Sequence, residues 1–266
     1  MKRYIYIIVI LLGFSSCSEF QKALKSESVA DKFKLASELF DAGKYAKANR
    51  LFVQIVPNYR GKPQAEKLMY MYSKSFYEMK DYYLAGYQFE RFVTSYPKSE
   101  KVEEAAFLSA KSYYLLCPVY TKDQKETVDA IEKLQVFINT YPDSEYIVEA
   151  NRMVKELDYK LEIKAFEIAK QYNTITDFKA SINSFNNFLL EYPGSSLREE
   201  ALYYRLDSAF KLSINSVEYK KEERLKEEKN YLDSFINNFA SSDKLEVVKE
   251  MLQQVNDQLQ KYNTKS

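Results

Sequence analysis

The sequence predicts an all-α protein, a solenoid of about five helix pairs with a C-terminal capping helix. One short ending returns along the chain, as Phe92–Ser99, Phe137–Ser144 and Phe188–Ser195, and repetition at a regular spacing indicates stacked copies of one unit. Glycine and proline number only 5 and 6 among 266 residues, so turns are few and elements are long. Residues that favour helices, such as alanine, leucine, glutamate and lysine, are abundant.

The N-terminus has the pattern of a bacterial lipoprotein signal. Lys2 and Arg3 precede the apolar run Tyr4–Phe14, which is too short to cross a bilayer as a helix of roughly twenty residues. Two serines and then Cys17 follow. We therefore predict a signal peptide over residues 1–16 and acylation of Cys17. The alternative is an ordinary signal peptide, in which Cys17 has no special role.

Acylation would anchor the chain to a bilayer without a spanning helix, since each buried methylene contributes about 0.8 kcal/mol. Cys17 is followed by Ser18; an Asp there would resemble an inner-membrane retention signal, so we predict the periplasmic face of the outer membrane. Residues 17–28 are predicted to be a lipidated linker, and residues 29–266 the solenoid. Cys117 is then the only thiol left, and we predict a buried apolar role for it.

The first helix pair begins near Ala30 and turns at Gly43, which is placed to adopt the left-handed conformation after a helix. Pro57 lies close to the end of its second helix. The apolar residues of the pair recur at helical spacing: Leu35, Ala36, Leu39, Ala48, Leu51, Phe52 and Ile55. A helix, a tight glycine turn and a helix with Ala and Phe four residues apart form the tetratricopeptide pattern.

The second pair follows the same pattern, with a turn at Lys80–Tyr82 and a closing Pro97. Its Ala85 follows Ala48 by about 37 residues, near the roughly 34 that are typical of this repeat. The third pair keeps its closing half, but the insertion Pro118–Gln124 interrupts it. Insertions in repeat proteins tend to project on one face, so we predict a loop there.

No proline or glycine interrupts residues 145–171, which predicts one helix of about 27 residues, roughly 40 Å long, between the two halves. The fourth pair turns through Asn173–Asp177 and closes at Pro193. The fifth pair is degraded by the charged run Glu218–Arg224, which we interpret as a solvated helix face. An amphipathic helix over residues 245–259 is predicted to cap the stack.

Composition argues against enzymatic chemistry. The chain has no histidine, the commonest general base and metal ligand, and too few cysteines for a Cys-rich zinc site. Its isolated glycines do not form a phosphate-binding loop, and paired carboxylates such as Glu103 and Glu104 are interpreted as helix surface. The net charge of +1 gives no global attraction to nucleic acid. We predict no catalytic residues, no metal and no cofactor.

A lipoprotein signal followed by five tetratricopeptide-like units resembles the BamD family of outer-membrane protein assembly lipoproteins, over essentially the whole mature chain. Three features carry the resemblance: the Tyr-Pro-x-Ser endings at Tyr96, Tyr141 and Tyr192, the loop in the third unit, and the long helix after it. The Asn- and Thr-rich fourth turn and the charged extension of the fifth unit depart from the family pattern.

The resemblance implies a scaffold. The family binds, through its C-terminal units, the periplasmic domains of the barrel-forming assembly protein BamA. Its N-terminal units are thought to receive targeting segments of unfolded outer-membrane proteins. The implied partners are therefore BamA, unfolded outer-membrane proteins and, through the acyl anchor, outer-membrane lipid, with no nucleic acid.

Helical phase predicts which residues line the groove, because the first helix of each pair faces it in tetratricopeptide solenoids. Six residues of the first two units should lie there: Phe33, Ser37, Phe40, Tyr70, Lys74 and Tyr77. Aromatic rings beside a lysine suit a peptide that ends in an aromatic residue and a carboxylate. The alternative is that Phe33, Tyr70 and Tyr77 are packing residues.

Two other functions stay open. Another periplasmic tetratricopeptide-repeat lipoprotein, a scaffold for cell-wall or division machinery, would share the signal and the fold but lack the insertion and the long helix. A solute-binding lipoprotein that captures oligosaccharide would need larger loops and tryptophan to stack on sugars, and this chain has no tryptophan.

Overall fold

A computed structural model describes residues 19–263 and shows an all-helical protein, with no strand in that range. The chain forms two compact units, and the boundary between them follows Asp158. The predicted all-α, tetratricopeptide-like fold class is confirmed. The predicted signal peptide, residues 1–16, and Cys17 lie outside the described residues.

Six complete helices lie between residues 29 and 140 of the first unit, and consecutive helices pack against each other. They are α1 (Val29–Asp41), α2 (Tyr45–Ile55), α3 (Ala65–Glu78), α4 (Tyr82–Ser95), α5 (Val102–Leu116) and α6 (Lys125–Thr140), with a 3₁₀ turn at Val56–Tyr59. The boundary between the units falls inside α7 (Ile147–Thr174). The second unit continues with α8 (Phe178–Glu191), α9 (Arg198–Ile214), α10 (Glu218–Asn238) and α11 (Leu245–Asn263).

The core of the first pair contains the residues that the helical spacing indicated. Ala36 and Leu39 on α1, and the apolar face of α2, are at most 8% exposed, whereas Leu35 is half-buried at the edge of this core. One contribution was not predicted. Residues 19–25, within the segment predicted as a linker, are helical, and Phe20 is buried in the same core.

Left-handed residues occur at three hairpin turns, although only one of them is a glycine. Gly43 has φ +70°, as predicted, and Lys80 and Thr176 adopt φ +63° and +64° at the corresponding positions. A side chain in this region is strained by roughly 1–2 kcal/mol. The aspartate that follows each of these two residues caps the next helix: Asp81 accepts from Leu84 N–H and Asp177 from Ala180 N–H, at 3.3 and 3.1 Å.

The predicted long helix is confirmed as α7, which extends past the expected end to Thr174. Asn173, expected in the turn, is instead a buried helical residue. Its side-chain amide donates to Asp207 Oδ2 at 2.8 Å and to Ser208 Oγ at 2.7 Å. This buried network on α9 explains why the helix continues through a residue that favours turns.

The insertion between α5 and α6 is a loop, as predicted. Gln124 is buried at its end, and its amide donates to Val119 O at 2.9 Å and Lys122 O at 3.0 Å. Cys117 precedes the loop and is half-buried rather than buried, because it lies at the exposed C-terminal cap of α5.

The repeated ending is a single structural feature, which we call the helix-end joint: Phe92–Ser99, Phe137–Ser144, Phe188–Ser195 and Phe235–Ser242. In each, the second aromatic residue packs on the phenylalanine four positions earlier, with ring centroids 5.0–5.5 Å apart. Its backbone N–H donates to the carbonyl of that phenylalanine at 2.8–2.9 Å. Every helix that precedes a joint therefore ends in the same way.

The serine of each joint is a hydrogen-bonding residue at the start of the following helix. Its Oγ accepts a hydrogen bond from the backbone N–H two residues later, at 2.8–3.1 Å. In three of these joints the hydroxyl also donates to a glutamate on the preceding first helix. The three pairs are Ser99 with Glu66 at 2.6 Å, Ser242 with Glu199 at 2.6 Å, and Ser195 with Glu162.

A buried acid of the second unit lies on the helix that also contains the charged run. Glu228 is 1% exposed, and neither carboxyl oxygen has a hydrogen-bond partner. Burial raises the pKa of Glu228 to about 9, and the attraction of Arg205 offsets only part of this effect. At neutral pH the carboxyl is therefore protonated, as expected for a buried acid without a partner.

Ser99→Ala tests the joint. It removes the donor to Glu66 and the acceptor of the Lys101 N–H, and we expect it to lower the free energy of unfolding by about 1–2 kcal/mol. Urea denaturation followed by circular dichroism measures the loss. Lys98→Ala, at an exposed position of the same joint, is the matched control. Equal stability of the two variants would contradict the connecting role of the serine.

Glu228→Gln tests the buried acid. The folded chain keeps a proton that the unfolded chain releases above the ordinary glutamate pKa of 4.5, so stability falls as pH rises from there toward 9. Relative to Glu228→Gln, the wild-type free energy of unfolding should fall by up to about 1.4 kcal/mol per pH unit.

Urea denaturation between about pH 5 and pH 8 measures the difference in free energy of unfolding, because this range lies between the unfolded pKa of 4.5 and the folded pKa of about 9. Glu223→Gln, at an exposed position of the same helix, should follow the wild type. Parallel curves for wild type and Glu228→Gln would show that this acid is ionised in the folded chain.

Candidate functional site

The six predicted groove residues lie on the first helices of the first two pairs, and each is half-buried. They form two groups, one on α1 with Phe33, Ser37 and Phe40 and one on α3 with Tyr70, Lys74 and Tyr77. Their role in peptide binding stays a prediction. Their contacts within the chain show what each side chain already does.

The α1 group is engaged largely in packing. The Phe33 ring lies 5.2 Å from that of Tyr59, and the Phe40 ring 6.3 Å from that of Phe52. Both partners are buried in the core of the first pair. The Ser37 hydroxyl donates to the Phe33 carbonyl one turn earlier, at 2.9 Å. These contacts favour the packing alternative for Phe33, and both rings remain half-buried.

The α3 group meets an acid on the next first helix. Lys74 Nζ lies 3.0 Å from Glu104 Oε1 on α5, and Lys101 Nζ lies 2.9 Å from Glu104 Oε2. The Tyr70 hydroxyl also donates to Glu104. Both ammonium groups lie over the Tyr70 ring, 5.9 and 5.6 Å from its centroid. Glu104 is therefore the shared acceptor of one hydroxyl and two cations.

The electrostatics of this group follow from those contacts. Burial alone would raise the pKa of Glu104, but hydrogen bonds from Tyr70, Lys101 and Lys74 outweigh it and lower the pKa to about 2. Burial, together with the hydrogen bond to Glu104, raises the pKa of Tyr70 well above its usual value. At neutral pH the site holds two cations, one carboxylate and a neutral phenol.

A second polar group continues along the same helices. Tyr77 is hydrogen-bonded to Lys111 on α5, and Lys111 Nζ lies 2.8 Å from Glu149 Oε1 on α7. Burial raises the pKa of Tyr77, so its hydroxyl stays protonated. The Tyr77 ring also lies 5.6 Å from that of Tyr82. Successive first helices of the first unit are thus connected by polar contacts on their shared face.

Sequence reasoning missed the acid of this site. Glu104 was interpreted as helix surface, and that interpretation is wrong, since its side chain is only 21% exposed and contacts three neighbours. The contact joins residues 30 positions apart: Lys74 is the tenth residue of α3 and Glu104 the third of α5. Lys111 and Glu149 occupy the same two positions on α5 and α7 and form the same contact. Comparing equivalent positions between repeats could have found the pair.

The arrangement of charges and rings is suited to binding an anionic group. In the part of the chain that the structure describes, no three His, Cys, Asp or Glu side chains are close enough together to hold a metal ion. The cations Lys74 and Lys101 can pair with an incoming carboxylate, but Glu104 already accepts from both. A bound carboxylate must therefore compete with Glu104, and the aromatic rings of Tyr70 and Tyr77 offer apolar area beside it.

The second unit presents a different surface. Its exposed large apolar side chains include Leu190 on α8 and Tyr219 on α10, each 81% exposed, and Val217 at 56%. The first unit also exposes single apolar side chains, such as Val148 at 76% and Tyr83 at 70%. Among residues 19–263, no helix is both long enough and apolar enough to cross a bilayer.

Comparison with known proteins gives a family match and several relatives. The chain matches the model of the YfiO family, described as outer membrane lipoprotein, over residues 25–225. An outer membrane protein assembly factor BamD from Rickettsia prowazekii (strain Madrid E) is 25% identical over 212 residues, which cover 79% of this chain and 84% of the relative.

Two further relatives have the same name. A protein of Aquifex aeolicus (strain VF5), given the same name provisionally, is 27% identical over 247 residues, or 91% of this chain and 76% of its own length. The BamD of Caulobacter vibrioides is 24% identical over 126 residues, or 47% and 41% of the two chains. A solved structure from work on designed cyclic homo-oligomers aligns with 11% identity and a TM-score of 0.19, which supports no argument.

Proposed function

The chain belongs to the YfiO family of outer membrane lipoproteins, and from this membership we propose that it is a non-enzymatic scaffold of the machinery that assembles β-barrel proteins in the outer membrane. Its relatives are named as outer membrane protein assembly factors. The anchor in this proposal is acylated Cys17. The observation that carries it is the stack of helix pairs, which the family model matches over residues 25–225.

The second unit is the proposed binding surface for the periplasmic domains of the barrel-forming assembly protein BamA. Leu190 and Tyr219 support this assignment, because side chains that are 81% exposed gain from being covered by a partner. The family resemblance, which implies docking through the C-terminal units, points to the same unit.

The first unit is the proposed receptor for targeting segments of unfolded outer-membrane proteins. The rings of Tyr70 and Tyr77 provide apolar area, and Lys74 and Lys101 provide charge for a terminal carboxylate. Glu104 lowers the affinity for that carboxylate, because it must be displaced from at least one cation. Weak, reversible binding suits a scaffold that must release unfolded outer-membrane proteins to the rest of the assembly machinery.

Affinity purification of the tagged full chain from detergent-solubilised outer membrane tests the scaffold. We expect the barrel-forming assembly protein to co-purify in a fixed ratio. Leu190→Asp with Tyr219→Asp should reduce the ratio at least tenfold, since buried apolar contacts are replaced by charge. Val136→Asp, at a 63% exposed position of the first unit, is the control. Recovery of only cell-wall or division proteins would favour the alternative scaffold.

Titration with a labelled peptide tests the groove. The peptide ends in an aromatic residue with a free carboxylate, and its amidated form is the ligand control. Lys74→Ala should weaken binding about tenfold, the effect of one charge-assisted hydrogen bond, while Glu104→Gln should strengthen it. Lys67→Ala, at an exposed position of the same helix, should change nothing. Equal binding of the amidated peptide would contradict the carboxylate role.

A further inference from the structure

The helix at residues 19–25 fixes the start of the described chain to the first helix pair. Phe20 is 4% exposed and belongs to the core that α1 and α2 form. Two cations of α2 lie over its ring: Lys47 Nζ is 5.7 Å and Arg50 Cζ is 5.5 Å from the ring centroid. Phe20 is therefore packed in place, with two cations over its ring.

These cations belong to a wider basic patch, which we define as Lys44, Lys47 and Arg50. They follow one another every third residue, and α2 contains no aspartate or glutamate. Within the described range, none of the three takes part in an ion pair. Lys44 and Arg50 are exposed, and Lys47 is half-buried against Phe20. The nearest acid along the chain on the Phe20 side is Glu19, at the start of the described residues.

The distance from this patch to the proposed anchor is short. Phe20 is three residues after Cys17, and an extended chain spans at most about 3.6 Å per residue, so the two Cα atoms lie within roughly 11 Å. An acylated Cys17 would sit at the lipid interface. The cations lie 5.5–5.7 Å from the Phe20 ring centroid, and such a short tether permits them to approach the lipid phosphates to within a Debye length, about 8 Å at physiological salt.

We propose that the basic patch of Lys44, Lys47 and Arg50 lies against the bilayer and binds the headgroups of anionic phospholipids, with buried Phe20 holding the anchor at this face of the first helix pair. The inference rests on the proposed acylation of Cys17. Anionic headgroups fit because the patch has unpaired cations and no acid on its own helix. Each cation near such a surface strengthens binding about fivefold.

A single tryptophan can test this contact, because the chain has none. Ala46→Trp introduces one at an exposed position between Lys44 and Lys47. The full lipidated chain is reconstituted into vesicles whose lipids carry bromine close to the headgroup. We expect strong quenching when phosphatidylglycerol is present and clearly weaker quenching in phosphatidylcholine alone. Added salt should reduce the difference.

Charge variants and a second reporter separate the patch from the anchor. Lys47→Gln with Arg50→Gln should lower quenching in phosphatidylglycerol vesicles to the phosphatidylcholine level, while the chain stays membrane-bound through its acyl groups. Val136→Trp, an exposed reporter on α6, should be quenched equally in both lipids. Equal quenching of the Ala46→Trp reporter in both lipids, or no effect of the charge variant, would overturn the proposal.

Failure of the membrane-contact proposal can be distinguished from failure of the scaffold proposal. Mass spectrometry of the purified chain reports acylation of Cys17 directly, and an unmodified Cys17 would overturn the membrane contact at its first premise. Co-purification of the barrel-forming assembly protein does not depend on Lys47 or Arg50, so the charge variant should retain it. Loss of both the partner and the lipid effect would contradict both proposals.

Discussion

The helix-end joint is the constraint on which the rest of each unit depends. Its aromatic cap has nearly the same backbone conformation in all four copies between residues 92 and 242, with φ from −131° to −121° and ψ from 51° to 64°. Because the ring contact, the backbone hydrogen bond and the serine recur together, each following helix leaves in a similar direction. A chain with so few glycines gains its repeated geometry from side-chain contacts rather than from backbone freedom.

The polar face of the first helices is a consequence of that stacking. Once apolar faces and joints are buried, side chains such as Tyr70, Lys74 and Glu104 remain at the boundary between core and solvent. Ion pairs in such half-exposed positions contribute about 0–1 kcal/mol each, so they stabilise the stack only slightly. For the same reason one partner can be exchanged at little cost. A surface of this kind can bind and release a charged segment while the helices that carry these side chains stay folded.

Local signals in the sequence were sufficient for the elements and insufficient for contacts between repeats. The helix pairs, the left-handed Gly43 and the long helix follow from periodicity and turn chemistry. The left-handed Lys80 and Thr176 were missed, because no glycine marks them and the signal is the aspartate that follows. Glu104 was missed because its role is defined by Lys74, a repeat away. Burial of Glu228 could not be read from a strongly charged helix, where one acid faces inward among many that face solvent.

The position of Phe20 joins the fold to its proposed environment. A flexible linker of a dozen residues would let a lipidated protein move several nanometres from its membrane. Here the first helical segment is buried against α2, so only the short stretch between Cys17 and Phe20 can lengthen the tether. The height of the first helix pair above the bilayer is then limited by covalent geometry. A scaffold of the kind proposed above would benefit from this limit, because partners embedded in the same bilayer would meet it within a bounded distance.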